Sequence, residues 1–250
     1  MKNIEPEGAA LPCPPLPPAN TPRPSAQPAS AADLLRARSQ AAPAAQPIAS
    51  LWEVFCETAA DAAGTGFALA HLDPSRGPVL WITDRVTRKE AGLPCLAGLP
   101  AGLDVLRVDV SRPVDVLWAA EQGLDCTALC GIVAELWGDP PALDFTATKR
   151  LALRAEAHGV PCWLLRRAAT PALSAARERW RIGSLPSGRA EWDARAPGQP
   201  HWRVELFRSR FRPPGSWVAR YDAAAHSLQM EHPMALGGAP NGTEAAAARA

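Results

Sequence analysis

Short apolar runs recur along the middle of the chain and predict the strands of a sheet. They occupy residues 51–56, 78–83, 105–110, 131–137 and 160–165. Successive runs begin roughly 30 residues apart, which is the length of a strand, a helix and a return. Because the runs are mostly apolar throughout, we expect strands that are buried on both faces. The pattern therefore predicts an α/β fold with a mostly parallel sheet sandwiched by helices.

Two of the intervening helices have clear end signals. Ser111 followed by Pro113 predicts a helix start, because serine caps a first turn and proline fits its first position. The face predicted for this helix consists of Val114, Leu117, Trp118 and Glu121. Residues 144–158 carry apolar positions at helical spacing, and Gly159 predicts the end of that second helix.

The pattern changes after Arg166. Residues 174–180 predict one or two further helical turns, whereas residues 202–210 and 216–221 have the pattern of strands. The turn Arg212-Pro213-Pro214-Gly215 lies between those two segments. Together they predict a C-terminal antiparallel hairpin that completes the sheet.

The two ends of the chain differ in composition from its middle. Eleven of the 27 prolines lie in residues 1–47, mixed with Ala, Ser and Gln, which predicts a disordered tail. Residues 31–40 are helical in pattern, as expected of a partner-binding element or of a transient exposed helix. Residues 233–250 are rich in Gly, Ala and Asn and predict a flexible end. One folded domain is expected over residues 48–232.

The charge of the chain is balanced in total but uneven along its length. Lys and Arg number 26 and Asp and Glu 25, which gives a formal net charge of +1. Such a balance by itself argues against nucleic-acid binding. Between Arg166 and Arg220, however, 12 arginines face four acids, so this span carries +8 and the remainder −7. The basic span is therefore the expected contact surface for a negatively charged partner.

A row of arginines follows the first strand of the predicted hairpin. If the strand stays regular, one face carries Trp202, Val204, Leu206, Arg208, Arg210 and Arg212. A fan of guanidinium groups suits phosphates or the carboxylates of a partner protein. The alternative is a solvated sheet edge that charge protects from aggregation.

The loop after the first strand bears on nucleotide binding. A catalytic phosphate loop needs GxxxxGK[ST], in which amides and lysine hold phosphates and the hydroxyl holds Mg²⁺. Residues 56–66, CETAADAAGTG, contain no lysine and add two carboxylates, Glu57 and Asp61. These carboxylates would repel phosphates. Ordinary phosphate-loop catalysis is therefore not expected.

Glu135, near the end of the run at 131–137, is the acid that most resembles a site residue. A carboxylate in that position can bind Mg²⁺. It can also cap the next loop or pair with an arginine. The lack of a lysine-bearing phosphate loop favours a cap or an arginine pair.

Several separate motifs follow the order of one protein family between Leu51 and Met230. They occupy residues 52–54, 117–121, 131–136, 149–159, 164–166, 175–181 and 202–210. The most specific are AARERWR at 175–181 and WRVELFRSR at 202–210. On these residues the chain resembles the ImuA family, RecA-like accessory proteins of inducible mutagenesis in bacteria.

The resemblance implies a RecA-like fold, of the P-loop NTPase type, with a degenerate nucleotide site. The positions that correspond to this site are Glu57, Asp61, Ala62, Ala63, Asp84 and Glu135. Ala62 and Ala63 stand near the lysine and hydroxyl positions of RecA, so no ATPase activity, metal or cofactor is implied. The candidates for contact with a partner or DNA are Arg166, Arg167, Arg177, Arg179, Arg181, Arg208, Arg210 and Arg212.

The family's role implies a function in SOS mutagenesis, in the response to DNA damage. The chain would assist translesion DNA synthesis without catalysis, together with an ImuB-like Y-family polymerase homologue, an error-prone polymerase III alpha-type subunit and RecA. DNA is a further candidate partner. Two alternatives stay open: a divergent RecA-type ATPase that uses Glu135 and Asp84, and a cell-division inhibitor like SulA.

No signal-peptide pattern and no apolar run of about 18 residues occur, which predicts a cytoplasmic protein.

Overall fold

The structure is a computed structural model that describes residues 49–231, apart from residues 96, 97, 191, 192 and 194. The predicted tails at 1–47 and 233–250, with the helical segment at 31–40, lie outside the described residues. All helices of the described part are too short or too polar to span a lipid bilayer.

Nine strands in the described part of the chain form a single sheet. They are β1 (Leu51–Cys56), β2 (Val79–Asp84), β3 (Val105–Val110), β4 (Gly131–Trp137), β5 (Cys162–Arg167), β6 (Glu178–Leu185), β7 (His201–Ser209), β8 (Gly215–Asp222) and β9 (Ser227–Glu231). Their order is β3-β2-β4-β5-β1-β6-β7-β8-β9. Neighbours are parallel from β3 to β6 and antiparallel from β6 to β9. The mostly parallel α/β sheet and the C-terminal hairpin, β7 and β8, are confirmed.

Helices connect the parallel strands from β1 to β5. They are α1 (Ala63–Leu69), α2 (Arg85–Ala91), α3 (Pro113–Gly123) and α4 (Phe145–His158). The Asp144 carboxylate caps α4 by accepting a hydrogen bond from the Ala147 amide at 2.7 Å. Gly159 ends α4 with a φ of 68°, which glycine adopts at no steric cost. The cap of α3 differs from the prediction, because it is Arg112 rather than Ser111.

The two faces of the sheet carry different cores. On one face, the ring of Phe67 from α1 lies 5.2 Å from Trp180 and 5.9 Å from Trp163 between centroids. On the other face, α3 and α4 pack through aliphatic side chains such as Leu117 and Leu151. Strands β1, β4 and β5 run between these cores and are buried on both sides. That burial is the physical reason for their continuous apolar runs.

The packed face of α3 differs from the predicted face. Val114 and Trp118 are 45% and 65% exposed, and Glu121 pairs with arginines of α4. The buried positions are Val116, Leu117 and Ala120. A Cβ added at Gly123 would lie 2.4 Å from the Leu80 side chain, so the helix approaches the sheet closely there. The face of α3 that carries small residues therefore packs against the sheet, because small side chains permit this close approach of helix and sheet.

The helical turns predicted for residues 174–180 are wrong. The chain reaches the sheet at Glu178 and continues as β6 parallel to β1. Trp180 and Ile182 enter the aromatic core, while Arg179, on the opposite face of β6, pairs with a buried carboxylate. A central strand, buried on both faces, is predicted from a continuous apolar run. An arginine on one buried face interrupts that run, so the strand is not predicted.

The aromatic core makes stability depend on pH through His71. Its Nδ1–H donates to the Phe67 carbonyl at 2.7 Å, and its ring lies 5.0 Å from that of Trp163. Burial lowers the pKa of His71 from 6.5 to about 4. In the unfolded chain the imidazole takes up a proton near pH 6.5, whereas in the folded chain it stays neutral until about pH 4. The unfolded state thus binds more protons in that window, and acidification favours unfolding.

We therefore expect the urea midpoint to fall as the pH is lowered from 7.5 to 4.5. His71→Gln has no titrating ring, so its midpoint should fall less over the same range. Tryptophan fluorescence reports both transitions. His201→Gln is the control, since it removes a different histidine, and its midpoint should fall as much as that of the wild type. Equal falls for the wild type and His71→Gln would contradict this role of His71.

Candidate functional site

The loop between β1 and α1 encloses the side chain of Arg167, which comes from the end of β5. Its Nη1 donates to the carbonyls of Ala59 and Asp61 at 3.2 and 3.0 Å. Its Nη2 donates to the Thr65 hydroxyl at 2.8 Å. A phosphate-binding loop instead turns amide N–H groups toward its ligand. The loop at this position is therefore built around a cation.

Glu135 of β4 completes the surroundings of this guanidinium. Its Oε1 accepts from Arg167 Nη2 at 3.0 Å, and its Oε2 accepts from Trp81 Nε1 at 3.1 Å. The side chains of Arg167 and Glu135 are only 7% and 4% exposed. Of the roles open to Glu135 from the sequence, the structure shows the pair with an arginine.

The two extra carboxylates of the loop bind neighbouring strands. Asp61 accepts from the Ser184 amide and hydroxyl at 2.8 and 2.6 Å, and from the Ala63 amide at 2.8 Å. Burial raises the pKa of Asp61, but these hydrogen bonds outweigh it and hold the pKa below its usual value. Glu57 pairs with Arg203 of β7. These contacts fasten the loop to β6 and β7 through carboxylate groups.

The remaining positions that the resemblance assigned to a nucleotide site have local structural roles. Asp84 is fully buried and caps α2 by accepting a hydrogen bond from the Thr87 amide at 2.7 Å. Ala62 precedes α1 without a side-chain cap, and Ala63 is buried in its first turn. Neither alanine has a side-chain donor for a phosphate or a metal ion.

A second buried charge cluster lies around Glu53 of β1, on the face opposite the aromatic core. Arg179 Nε donates to Glu53 Oε2 at 2.6 Å, and Arg166 Nη1 lies 3.6 Å from Glu53 Oε1. Arg166 also binds Asp139 at 2.6 Å, and both guanidinium groups stack near Phe55. Burial lowers the pKa of Arg166. Glu53 was not among the predicted site residues, although a lone glutamate inside the apolar run LWEVFC was the available signal.

The structure separates the eight candidate arginines by accessibility. The buried ones, whose guanidinium groups pair with internal carboxylates, are Arg166, Arg167 and Arg179. Those in more accessible ion pairs are Arg177 with Glu156, Arg181 with Glu205 and Arg212 with Glu178. Arg208 and Arg210 are exposed, and their side chains make no hydrogen bond or ion pair within the described residues. Among the eight candidates, these two are the most available to a partner.

A β-bulge within β7 separates the expected arginines from the apolar positions Trp202, Val204 and Leu206. Trp180 faces Leu206 across the β6–β7 ladder, but Arg179 faces Arg208, so the register shifts by one residue. A bulge of this kind places an extra residue on one strand and breaks its alternation. Arg208 and Arg210 consequently line a groove beside α4. Arg212 instead binds Glu178 and lies 5.6 Å from the Trp180 ring centroid.

The chain is similar in sequence to a bacterial protein known from two strains of one species. The chain is 33% identical over 174 residues to "Protein ImuA" from each of two strains of Caulobacter vibrioides. The aligned part covers 66% of this chain and 67% of each relative. No family model matches the chain.

The contacts of Arg167 predict a large stability effect. Arg167→Met leaves Glu135 as an uncompensated buried carboxylate, and we expect a loss of about 3–5 kcal/mol in the free energy of unfolding. Arg167→Met combined with Glu135→Leu should recover most of that loss, because no charge then remains buried. Urea unfolding followed by tryptophan fluorescence measures both variants.

Arg203→Met is the control, since it breaks the more exposed pair with Glu57 and should cost less than about 1 kcal/mol. Similar unfolding free energies for Arg167→Met and Arg203→Met would contradict the role given to Arg167.

Proposed function

Because the chain belongs to the ImuA family, we propose that it is a non-catalytic, RecA-like accessory protein of SOS-induced mutagenesis. It assists translesion DNA synthesis together with an ImuB-like Y-family polymerase homologue, an error-prone polymerase III alpha-type subunit and RecA. Family membership links the chain to the ImuA/ImuB mutagenesis system. The further partners and the RecA-like identity of the core are part of the proposal.

The buried pair of Arg167 and Glu135 is the observation that carries the non-catalytic assignment. A nucleotide phosphate at this loop would meet the carbonyls of Ala59 and Asp61, which already accept from the guanidinium. It would also approach the carboxylates of Glu57 and Asp61, which repel it. Both oxygens of Glu135 accept hydrogen bonds from side chains of the protein, so this carboxylate is not free to bind Mg²⁺. The residues present therefore do not fit Mg-ATP.

The topology supports the proposed relation to RecA. The loop after β1 and the Glu135 end of β4 lie at the carboxyl ends of parallel strands, where ligands of open α/β sheets bind. If this site derives from a RecA-like nucleotide site, the fold around it is retained, but Arg167 occupies its interior and ATP hydrolysis is lost. The charges outside it, on Arg208 and Arg210, remain available for assembly.

We expect no heat of binding when Mg-ATP is titrated into the full chain in a calorimeter. Glu57→Gln with Asp61→Asn removes the repulsion but leaves the loop carbonyls and Arg167 in place, so it should give no heat either. A saturable heat from the wild type would contradict the non-catalytic assignment and favour the divergent ATPase.

In cells that lack the chain, we expect the wild type to restore damage-induced mutation. Arg208→Ala with Arg210→Ala should restore it only in part, because these two cations are exposed and available to a partner. The measurement is mutation frequency after DNA damage, with protein levels checked by immunoblot. Co-purification with the ImuB-like protein of the same genome tests the association directly.

Arg85→Ala with Arg88→Ala, on α2, is the matched control and should restore mutation fully. Equal mutation frequencies with and without the chain would overturn the proposed function. Lengthened cells on overproduction, with no effect on mutation, would favour a SulA-like inhibitor.

A further inference from the structure

A groove of about 460 Å³ lies between α4, the segment that joins β5 to β6, and the end of β7. Phe145, Lys149 and Leu153 line it from α4, and Arg208 and Arg210 line it from the end of β7. The groove lies beside Arg177 rather than at the loop that holds Arg167. It is therefore separate from the degenerate nucleotide site.

The α4 side of the groove exposes two large apolar side chains. Phe145 is 43% exposed and Leu153 is 50% exposed, eight residues apart on the same helix. At a rise of about 1.5 Å per residue they lie roughly 12 Å apart along α4, with Lys149 midway between them. Ala175 and Ala176 add small side chains on the facing wall. Paired apolar groups in a concave surface are typical of a binding site for a helix or peptide.

The three cations of the groove have no ion-pair partner in the described part of the chain. Within the described residues, Lys149, Arg208 and Arg210 form no side-chain hydrogen bond or ion pair. The nearby Glu156 carboxylate is already bound by Arg177 and by the Ser50 hydroxyl at 2.8 Å. Most other arginines of the basic span are paired. The groove thus combines an apolar wall with three cations that form no ion pair of their own, although Arg210 lies near enough to Glu156 to help lower the pKa of that carboxyl.

We propose that this groove binds an acidic amphipathic segment of a partner protein. Apolar side chains of that segment pack on Phe145 and Leu153, and its carboxylates pair with Lys149, Arg208 and Arg210. Charge complementarity at the rim of an apolar contact confers specificity and rapid association. This inference deepens the proposed accessory function and rests on it for the existence of a partner.

A single-stranded nucleic acid fits the groove less well. Such ligands are bound by several aromatic side chains on which successive bases stack, along a continuous basic track. Phe145 is the single aromatic residue among those that line the groove. The alanines and Leu153 beside it offer packing for aliphatic side chains instead.

A random peptide library tests the proposal directly. Peptides of about 14 residues, four helical turns, are selected on the immobilised full chain. We expect the enriched sequences to be net acidic, with apolar residues at i, i+3 or i+4 spacing. A synthetic copy of one enriched peptide is then titrated by fluorescence anisotropy, in parallel with a single-stranded DNA of similar length.

Two variants locate the binding site. Lys149→Glu, Arg208→Glu and Arg210→Glu together should weaken the peptide at least about tenfold, and so should Phe145→Ser with Leu153→Ser. The charge control is Arg85→Glu, Arg88→Glu and Lys89→Glu on α2, which makes the same change in charge. The apolar control is Leu106→Ser, because Leu106 is also 50% exposed. Both controls should bind within about twofold of the wild type, and circular dichroism checks the folding of every variant.

Several outcomes would overturn the proposal. They are a library without enrichment, enriched peptides that lack acidic residues, and affinities that the groove variants leave unchanged. DNA binding that depends on the same residues, without peptide binding, would assign the groove to nucleic acid. Because the selection needs no natural partner, it succeeds or fails independently of the mutation frequencies that test the proposed function.

Discussion

The buried guanidinium of Arg167 is the contact on which the central part of the fold depends. It joins the end of β5 to Glu135 on β4 and to the carbonyls of the loop after β1. A charge so enclosed is tolerable only when its partners satisfy it, because the desolvation of an unpaired ion costs several kcal/mol. The same contact therefore fixes the conformation of the loop.

Arginine has two physical uses in this chain. At Arg166, Arg167 and Arg179 it provides buried, planar groups that pair with Glu53, Glu135 and Asp139 between and beside strands. At Arg208 and Arg210 it provides exposed charge beside the apolar side chains of α4. The net charge of +8 between Arg166 and Arg220 therefore overstates the basic surface. Among the eight candidate arginines, only Arg208 and Arg210 have no side-chain ion pair within the described residues.

The sequence predicted the parallel strands well because burial on both faces leaves continuous apolar runs, as in β1, β4 and β5. It failed at β6, where Arg179 and Arg181 interrupt the pattern on one face. For the candidate site, the missing lysine and the carboxylates of Glu57 and Asp61 predicted only that ordinary phosphate-loop catalysis is not expected. The cation that fills the loop was not predictable, since Arg167 is 106 residues away from Asp61 along the chain.

By itself, the sequence determined the α/β fold, the lack of a GxxxxGK[ST] motif and the uneven distribution of charge. These properties depend on local pattern and composition, which the order of residues records directly. Only the tertiary structure decided which arginines are buried, which carboxylates they meet, and which face of α3 packs. A bulge in β7 then separated the arginines from the apolar face of that strand, and the turn after Ser209 set Arg212 apart from Arg208 and Arg210. Those outcomes depend on the register between distant strands, which a one-residue shift changes without any trace in the local pattern.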